Sequence, residues 1–559
     1  MSPKESHIKR PAIPQKPSTP PARRIGISYG AAMLCCGLVA SALAWALVVP
    51  TSVTAKPGTV QLGRNLFQGN TSSPDVTVFY GVPYAQAPVG NLRWRAPRPV
   101  ATSLFAPTKV IDATSPPLPC IQGTTGGGDA GGAGSEDCLK VNIYTPSNAT
   151  ARSNLPVLVY IHGGGYTYGN PVNWPFVHWV EQDPNVVVVS VYYRLAAIGF
   201  LATPELANPA VGDLNVGFLD QVEALRWVQK NIRAFGGDPS RVTINGESAG
   251  GSSVELHLVA NEQPSLFRGV IAQSVYRHTL ATPEQKREQF QEFARRAGCA
   301  TGGPVAQLAC LRKAPLTAIA PAQDAKASYD TPYTLWTPVI DGKVIRDIPS
   351  TLLLQGRFKR VPVIVGATTN ETLAGGDTVA LGLKNFFPQL TEGDITDLER
   401  AFPASDYSDP FIVQTVTGAS SVRCARDIFV KGISPHENVF VYRYNQPNPT
   451  SHQPGNTAHA AENWMMFGGT NTGFNGTTEF TGLNALIAYW LSFVRSQNPN
   501  THKLARSPSW PSTRSTTRLV LQEDRAGSTT RSGMVVEEEP ADEVAMCAEV
   551  VRKVVPEQH

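Results

Sequence analysis

Near the middle of the chain, INGESAG (Ile244–Gly250) holds Ser248 between Glu247 and Ala249, with Gly246 and Gly250 two positions to either side. A serine in Gly-x-Ser-x-Gly can act as a nucleophile when a strand leads into it, a tight turn holds it and a helix follows, because that arrangement lifts the hydroxyl above the sheet edge. The flanking glycines leave room for such a turn. The string alone is common, and the plain alternative is a glycine-rich turn, so the neighbouring elements decide. A serine nucleophile also needs a base, an acid to orient the base, and donors for an oxyanion. A second glycine run, HGGGYTYG (His162–Gly169), directly follows the apolar run VLVYI (Val157–Ile161). Successive glycines there can turn backbone N–H groups toward a developing negative charge.

The elements around these motifs have the required order. VLVYI and VVVVSVYY (Val186–Tyr193) are short β-branched runs of the kind buried on both faces of a parallel sheet. LDQVEALRWVQKNIRAF (Leu219–Phe235) places Leu219, Val222, Leu225, Val228, Ile232 and Phe235 at helical spacing. Asp220 and Glu223 fall in the first turn of that predicted helix and Lys230 and Arg233 in its last, as the helix dipole favours. GGDP ends it, RVTIN (Arg241–Asn245) reads as a strand, and GSSVELHLVAN (Gly251–Asn261) continues as a helix. Further strands are expected at Val361–Gly366, Val439–Tyr444 and Arg518–Gln522. Strands alternating with helices predict an α/β fold with a large, mostly parallel central sheet flanked by helices. Ser248 thus stands between a strand and a helix. The residues alone do not choose the base among His436, His452, His459, His502 and His559, nor the acid among many carboxylates.

The chain has 559 residues, 42% of them hydrophobic, and a formal charge of +4. That composition supports a large core, and the absence of a long basic run in the body argues against a nucleic-acid partner. Residues Met1–Arg24 are rich in Pro, Lys and Arg and read as a disordered basic cytoplasmic tail. Residues 25–55 carry no charge, and 25–50 are expected to form a transmembrane signal-anchor. The alternative is a signal peptide cleaved near Ala55. Either route exports the body, 56–559, which reads as a single catalytic domain. Cys35 and Cys36 lie in the apolar segment, and the six others (Cys120, Cys138, Cys299, Cys310, Cys424 and Cys547) suit disulfides better than metal, with no CxxC pair among them. Sequons at Asn70, Asn148 and Asn475 fit the same compartment. GGGDAG (Gly126–Gly131) matches a dinucleotide fingerprint, but no strand precedes it, so no nucleotide site is expected.

The stretch GFLDQVEALRWVQKNIRAFGGDPSRVTINGESAG resembles the type-B carboxylesterases, the α/β-hydrolase family that includes cholinesterases and some fungal lipases. SEDCLKVNIYTP (Ser135–Pro146), FYGVPYAQAPVGNLRW and YWLSFVRSQNPN are similar to other family segments, and the likeness runs from about Gly58 to about Pro556. The resemblance implies Ser248 as nucleophile, Glu371 in VIVGATTNETLAGG as acid, and His459 in GNTAHAAENWMMFG as base. It implies the N–H groups of Gly164, Gly165 and Ala249 as oxyanion donors, and buried ion pairs Arg194–Asp220 and Arg93–Glu136. It pairs Cys120 with Cys138 and Cys299 with Cys310, leaving Cys424–Cys547, which the similarity of CAEVVRKVVP to the family's C-terminal helix supports. Thr372 stands where glycine usually follows the acid, Val275 where glycine usually follows Ser274, and Tyr166 where phenylalanine is common. Asn370 heads a further sequon that includes Glu371 and is expected to be empty, because a glycan there would crowd a buried acid. The expected activity is hydrolysis of soluble, neutral, short- or medium-chain esters through an acyl-enzyme, needing no metal or organic cofactor. The rival readings are a lipase acting on longer acyl chains and an adhesion protein on the same fold. The loop Ile121–Asp137 has no aromatic residue and is nearly half glycine, so it offers neither a cation site for choline nor a helical lid.

Overall fold

The computed structural model describes residues 58–63, 65–100, 109–122, 134–324, 335–373, 375–447, 457–467, 481–514, 516–522 and 533–557. The expected anchor or signal segment, the GGGDAG string, His452, His559 and Asn475 lie outside these residues. Among the described residues no helix is long and apolar enough to cross a membrane.

In chain order the strands are β1 (Thr59–Leu62), β2 (Asn65–Gly69), β3 (Val76–Pro83), β4 (Lys109–Ala113), β5 (Lys140–Pro146), β6 (Leu155–Ile161), β7 (Val187–Val191), β8 (Gly237–Glu247), β9 (Gly269–Gln273), β10 (Val363–Thr368), β11 (Val439–Tyr444), β12 (Thr517–Leu521) and β13 (Val535–Glu538). Ten of them form one sheet in the order β13-β12-β11-β10-β9-β8-β6-β7-β5-β3, and β1, β2 and β4 form a small second sheet. The large sheet is parallel from β7 through β12. It is antiparallel at both margins, where β5 and β3 follow β7 and β13 follows β12.

The β-branched runs are central because both of their faces are covered. In β6, Val157, Val159 and Ile161 pack into one apolar cluster and Leu158 and Tyr160 into another, the two-residue alternation of a strand between two layers. In β10, Val363 and Val365 join the first cluster and Ile364 the second. The helix Val216–Asn231 belongs to the first layer and Thr481–Ser496 to the second.

The helix expected at 219–235 starts three residues earlier and becomes a 3-10 turn over Ile232–Phe235. Asp220 and Glu223 are therefore not in its first turn, which holds no acidic residue, and Arg233 lies in the 3-10 turn beyond its last. Asp220 instead faces inward and pairs with Arg194 at 2.7 Å, both side chains fully buried. Burial pushes the Asp220 carboxyl up despite that guanidinium. Of the helix stop GGDP (Gly236–Pro239), Gly236 caps the 3-10 turn with φ +90°, whereas Gly237–Pro239 belong to the irregular first part of β8: Leu155 pairs with Gly237 and Val157 with Val242.

Three disulfides join Cys120–Cys138, Cys299–Cys310 and Cys424–Cys547. Arg93 pairs with Glu136 at 2.6 Å, and its Nη1 donates to the carbonyls of Leu311 (2.6 Å) and Ala314 (2.9 Å), which end the Pro304–Lys313 helix. At the other end of the chain Arg518 bonds Glu537, Glu539 and Glu543, and Arg426 bonds Glu539 and Glu543. These ion pairs and the third disulfide hold β13 and the Ala541–Val554 helix to the body.

Candidate active site

Ser248, Glu371 and His459 each come after the C-terminal end of a parallel strand, the edge where open α/β sheets bind ligands. Ser248 follows β8 with φ 58° and ψ −123°, and the Ala249–Val259 helix starts at the next residue. A non-glycine residue in that conformation is strained, and packing holds it there: its N–H donates to Gln273 O in β9 at 3.0 Å. Gly250 must be glycine because a Cβ there would overlap the Ile161 carbonyl oxygen of β6.

The loop after β6 lies against this turn. A Cβ on Gly163 would come within 2.5 Å of Glu247 O and 2.9 Å of Ser248 Cβ, so only glycine lets the loop approach. Gly164 and Gly165 have φ of +104° and +60° and line a cavity of about 660 Å³ with Ser248. Ala249 is the first residue of its helix, so its N–H has no partner within that helix. His162, beneath the loop, stacks between Trp174 and Tyr193. Burial lowers its pKa to about 4, which keeps it neutral.

Glu371 stands in the loop after β10 and His459 after β11, just before the short helix Ala461–Met466. His459 Nε2 is 2.8 Å from Ser248 Oγ, and His459 Nδ1 is 2.5 Å from Glu371 Oε2. The other carboxyl oxygen, Oε1, accepts from Ser274 Oγ at 2.6 Å and from the Thr368 N–H at 2.8 Å. The backbone of Glu371 is pressed on Gly418, where a Cβ would overlap the Glu371 carbonyl. Burial alone would raise the Glu371 pKa, but the charge of His459 and these hydrogen bonds hold it below its usual value. For His459 burial acts downward, and the Glu371 carboxylate overcomes it and raises the pKa to about 9.

Two further carboxyls lie close by. Glu247 Oε1 is 3.6 Å from His459 Nε2, and Glu247 Oε2 accepts from Asn463 Nδ2 at 3.1 Å. Glu462 accepts from Tyr442 OH at 3.1 Å, with Ser274 Oγ 3.3 Å away. Burial pushes both carboxyls up, toward the neutral acid, so Glu371 is the carboxyl of the three that favours ionisation. Residue types and spacing had not singled out Glu247, Glu462 or Ser274. Glu247 stood inside the nucleophile motif and Ser274 at the end of β9, and only the folded sheet brings them to His459.

Of the other histidines left open by the sequence, His436 and His502 are exposed and line no part of the cavity. The described lining includes Tyr168, Trp174, Tyr276 and Leu373, and contains no lysine or arginine. Ile121 is in the core, 1% exposed, so the one large apolar residue of its loop is not on the surface. Asn148 is exposed, whereas Asn70 is half-buried with its Nδ2 donating to Thr114 O at 2.9 Å. Asn370 is also half-buried, and its backbone N–H donates to Thr457 O at 3.2 Å. No group of side chains among the described residues could hold a metal ion.

The sheet order and its flanking helices define an α/β-hydrolase. Within that class, a sequence model of the carboxylesterase family matches residues 49–392 and 407–538, and the chain belongs to that family. It is 32% identical over 486 residues to the medium-chain fatty acyl-CoA hydrolase precursor of Anas platyrhynchos, an alignment spanning 79% of this chain and 84% of that one. It is 33% identical over 425 residues to the fumonisin B1 esterase of Sphingopyxis macrogoltabida, spanning 73% and 74% of the two chains. The crystal structure of Aspergillus niger EstA matches 90% of this chain and 99% of its own with a TM-score of 0.79 at 30% identity. The protein is a carboxylic-ester hydrolase.

Proposed function

We propose that the protein hydrolyses soluble, neutral, short- or medium-chain esters through an acyl-enzyme on Ser248. The observation that carries this reading is the continuous bonding of Ser248 Oγ to His459 and of His459 to Glu371 beside the glycine loop. His459 Nε2 takes the hydroxyl proton as Ser248 Oγ attacks the ester carbonyl carbon. The N–H groups of Gly164, Gly165 and Ala249 receive the oxyanion, each donor contributing about a hundred- to a thousand-fold in rate. The tetrahedral adduct collapses, and the alcohol departs with the proton from His459. Water then attacks the acyl-enzyme with His459 again as base, and Ser248 is regenerated. Glu371 holds Nδ1–H and stabilises the imidazolium.

The lining and the loop after Cys120 support this substrate class. No lysine or arginine lies in the described wall, which argues against an anionic ester. The loop Ile121–Asp137 has no aromatic residue to face a quaternary ammonium, and Ile121, its one large apolar residue, is buried. The medium-chain name of the Anas relative agrees with this range. The test compares butyrate esters, choline esters and long-chain triglycerides across the solubility limit. A preference for choline, or a sharp rise in rate at the interface, overturns the assignment. The three disulfides support an exported body, with residues 25–50 as anchor or cleaved signal. N-terminal sequencing of the secreted and membrane fractions separates those two fates.

A further inference from the structure

We propose that Tyr276 sets the longest acyl chain the enzyme accepts, by walling the ester cavity off from a second cavity behind it. The inference rests on Ser248 being the nucleophile. Tyr276 lines both the cavity of about 660 Å³ that contains Ser248 and a rear cavity of about 20 Å³. The rear space is bounded by Ser252, Leu256, Leu280 and Ser350 and by the buried ion pair Arg277–Glu255, 2.7 Å.

The ring is fixed on several sides. Its edge packs on Phe386 with centroids 6.2 Å apart, and it tilts against His278 at 5.4 Å. His278 is in turn held by Tyr166 at 5.6 Å, and the hydroxyl of Thr279 donates to Phe386 O at 2.8 Å. Swinging Tyr276 aside would therefore repack several side chains at once, which close-packed interiors resist. Its position favours the acyl arm. His459 must hand a proton to the departing alcohol, so the alcohol lies beside the imidazole, whereas the acyl carbon stays on Ser248. Tyr276 follows the nucleophile turn closely: its N–H donates to Ser248 O at 3.4 Å, and Ser252 Oγ donates to Tyr276 O. A chain growing away from Ser248 on that side meets the aromatic ring first and the Arg277–Glu255 pair beyond it.

The experiment measures kcat/KM for p-nitrophenyl esters from acetate to laurate, and for alkyl acetates from butyl to decyl, in the wild type, Tyr276→Ala and Tyr276→Phe. In Tyr276→Ala the long-to-short ratio of the acyl series rises by at least about ten-fold, the discrimination that a single methylene in an apolar pocket supports. Tyr276→Phe keeps the wild-type ratio, and the alkyl acetate series does not shift in either variant. If Tyr276→Ala does not fold, Tyr276→Leu provides the same comparison with a larger side chain. An unmoved acyl ratio in a folded variant overturns the proposal, as does a shift confined to the alcohol series. Labelling with a fluorophosphonate separates the two levels: a wild type not labelled at Ser248 removes the catalytic reading itself, whereas normal labelling with an unmoved ratio removes only the role of Tyr276.

Discussion

Replacing Glu371 by Gln tests the proposed control of His459 as base by Glu371 as acid. The carboxylate touches His459 Nδ1 at 2.5 Å in a buried site. Unit charges about 4 Å apart at an effective dielectric of about 20 interact by about 4 kcal/mol, which is about three pKa units. Taking that away from a His459 pKa of about 9 leaves about 6, below the ordinary imidazole value, as burial requires. Only neutral His459 accepts the Ser248 proton, so activity appears as pH rises through this pKa. In the wild type the acidic limb of kcat/KM is thus expected on the alkaline side of 6.5, and in Glu371→Gln it moves down by at least about two pH units. The rate falls as well. Ser274 Oγ and the Thr368 N–H both donate to Oε1, so the amide oxygen of glutamine takes that place and its NH2 faces Nδ1. The imidazole is then driven to the tautomer with a proton on Nε2, which cannot accept from Ser248, and kcat drops by about 10⁴-fold. The assay is p-nitrophenyl butyrate hydrolysis from pH 5 to 10, corrected for the uncatalysed rate. A variant that keeps a tenth of the activity with an unshifted limb would refute the coupling of Glu371 to His459.

Ser248→Ala is expected to abolish both turnover and fluorophosphonate labelling without lowering the melting temperature. His459→Ala should behave alike, whereas His452→Ala stays mild; the reverse pattern in a side-by-side activity assay would reassign the base. Reducing the third disulfide by Cys424→Ser with Cys547→Ser opens a loop of 123 residues and is expected to cost about 5 kcal/mol, read from the denaturation midpoint. Asp220→Asn leaves the Arg194 guanidinium fully buried without its counter-charge, and a loss of about 3–5 kcal/mol should appear in urea unfolding. Gly250→Ala forces a methyl onto the Ile161 carbonyl, so both the melting temperature and kcat should fall; an unchanged melt would show that the contact between the Ala249–Val259 helix and β6 is looser than described.

Local pattern carried much of the fold. Val439–Tyr444 was readable residue for residue as β11, and the turn at Ser248 was readable from the strand and helix around it. Both signals lie in neighbouring residues. β8 was read short because Gly237–Ser240 has the composition of a turn, and only pairing with Leu155 makes it sheet. The start of the helix before it was misplaced because Asp220 has the charge of a dipole-capping residue, while burial against Arg194 decides its place. The partners of Ser248 were not legible as physics. His459 is 211 residues further along the chain, and Glu371 a further contact reached across 88, so no spacing rule joins them. Those two came from a family likeness, and the pressing of Gly418 on Glu371 came from neither source.

The Arg93 guanidinium has a consequence for the time course of synthesis. It binds Glu136, 43 residues later, and the carbonyl of Ala314, 221 residues later. At about 5–20 residues per second, a ribosome supplies the first partner within about 10 seconds and the second only after about 11–44 seconds. Cys138 emerges 18 residues after Cys120, so their bridge can close early, while Cys310 arrives only shortly before Ala314. During that interval the Leu311 and Ala314 carbonyls that accept from Arg93 Nη1 in the folded protein have not yet been made. The surroundings of the first disulfide are therefore completed only once the helix that carries Cys310 of the second has been made.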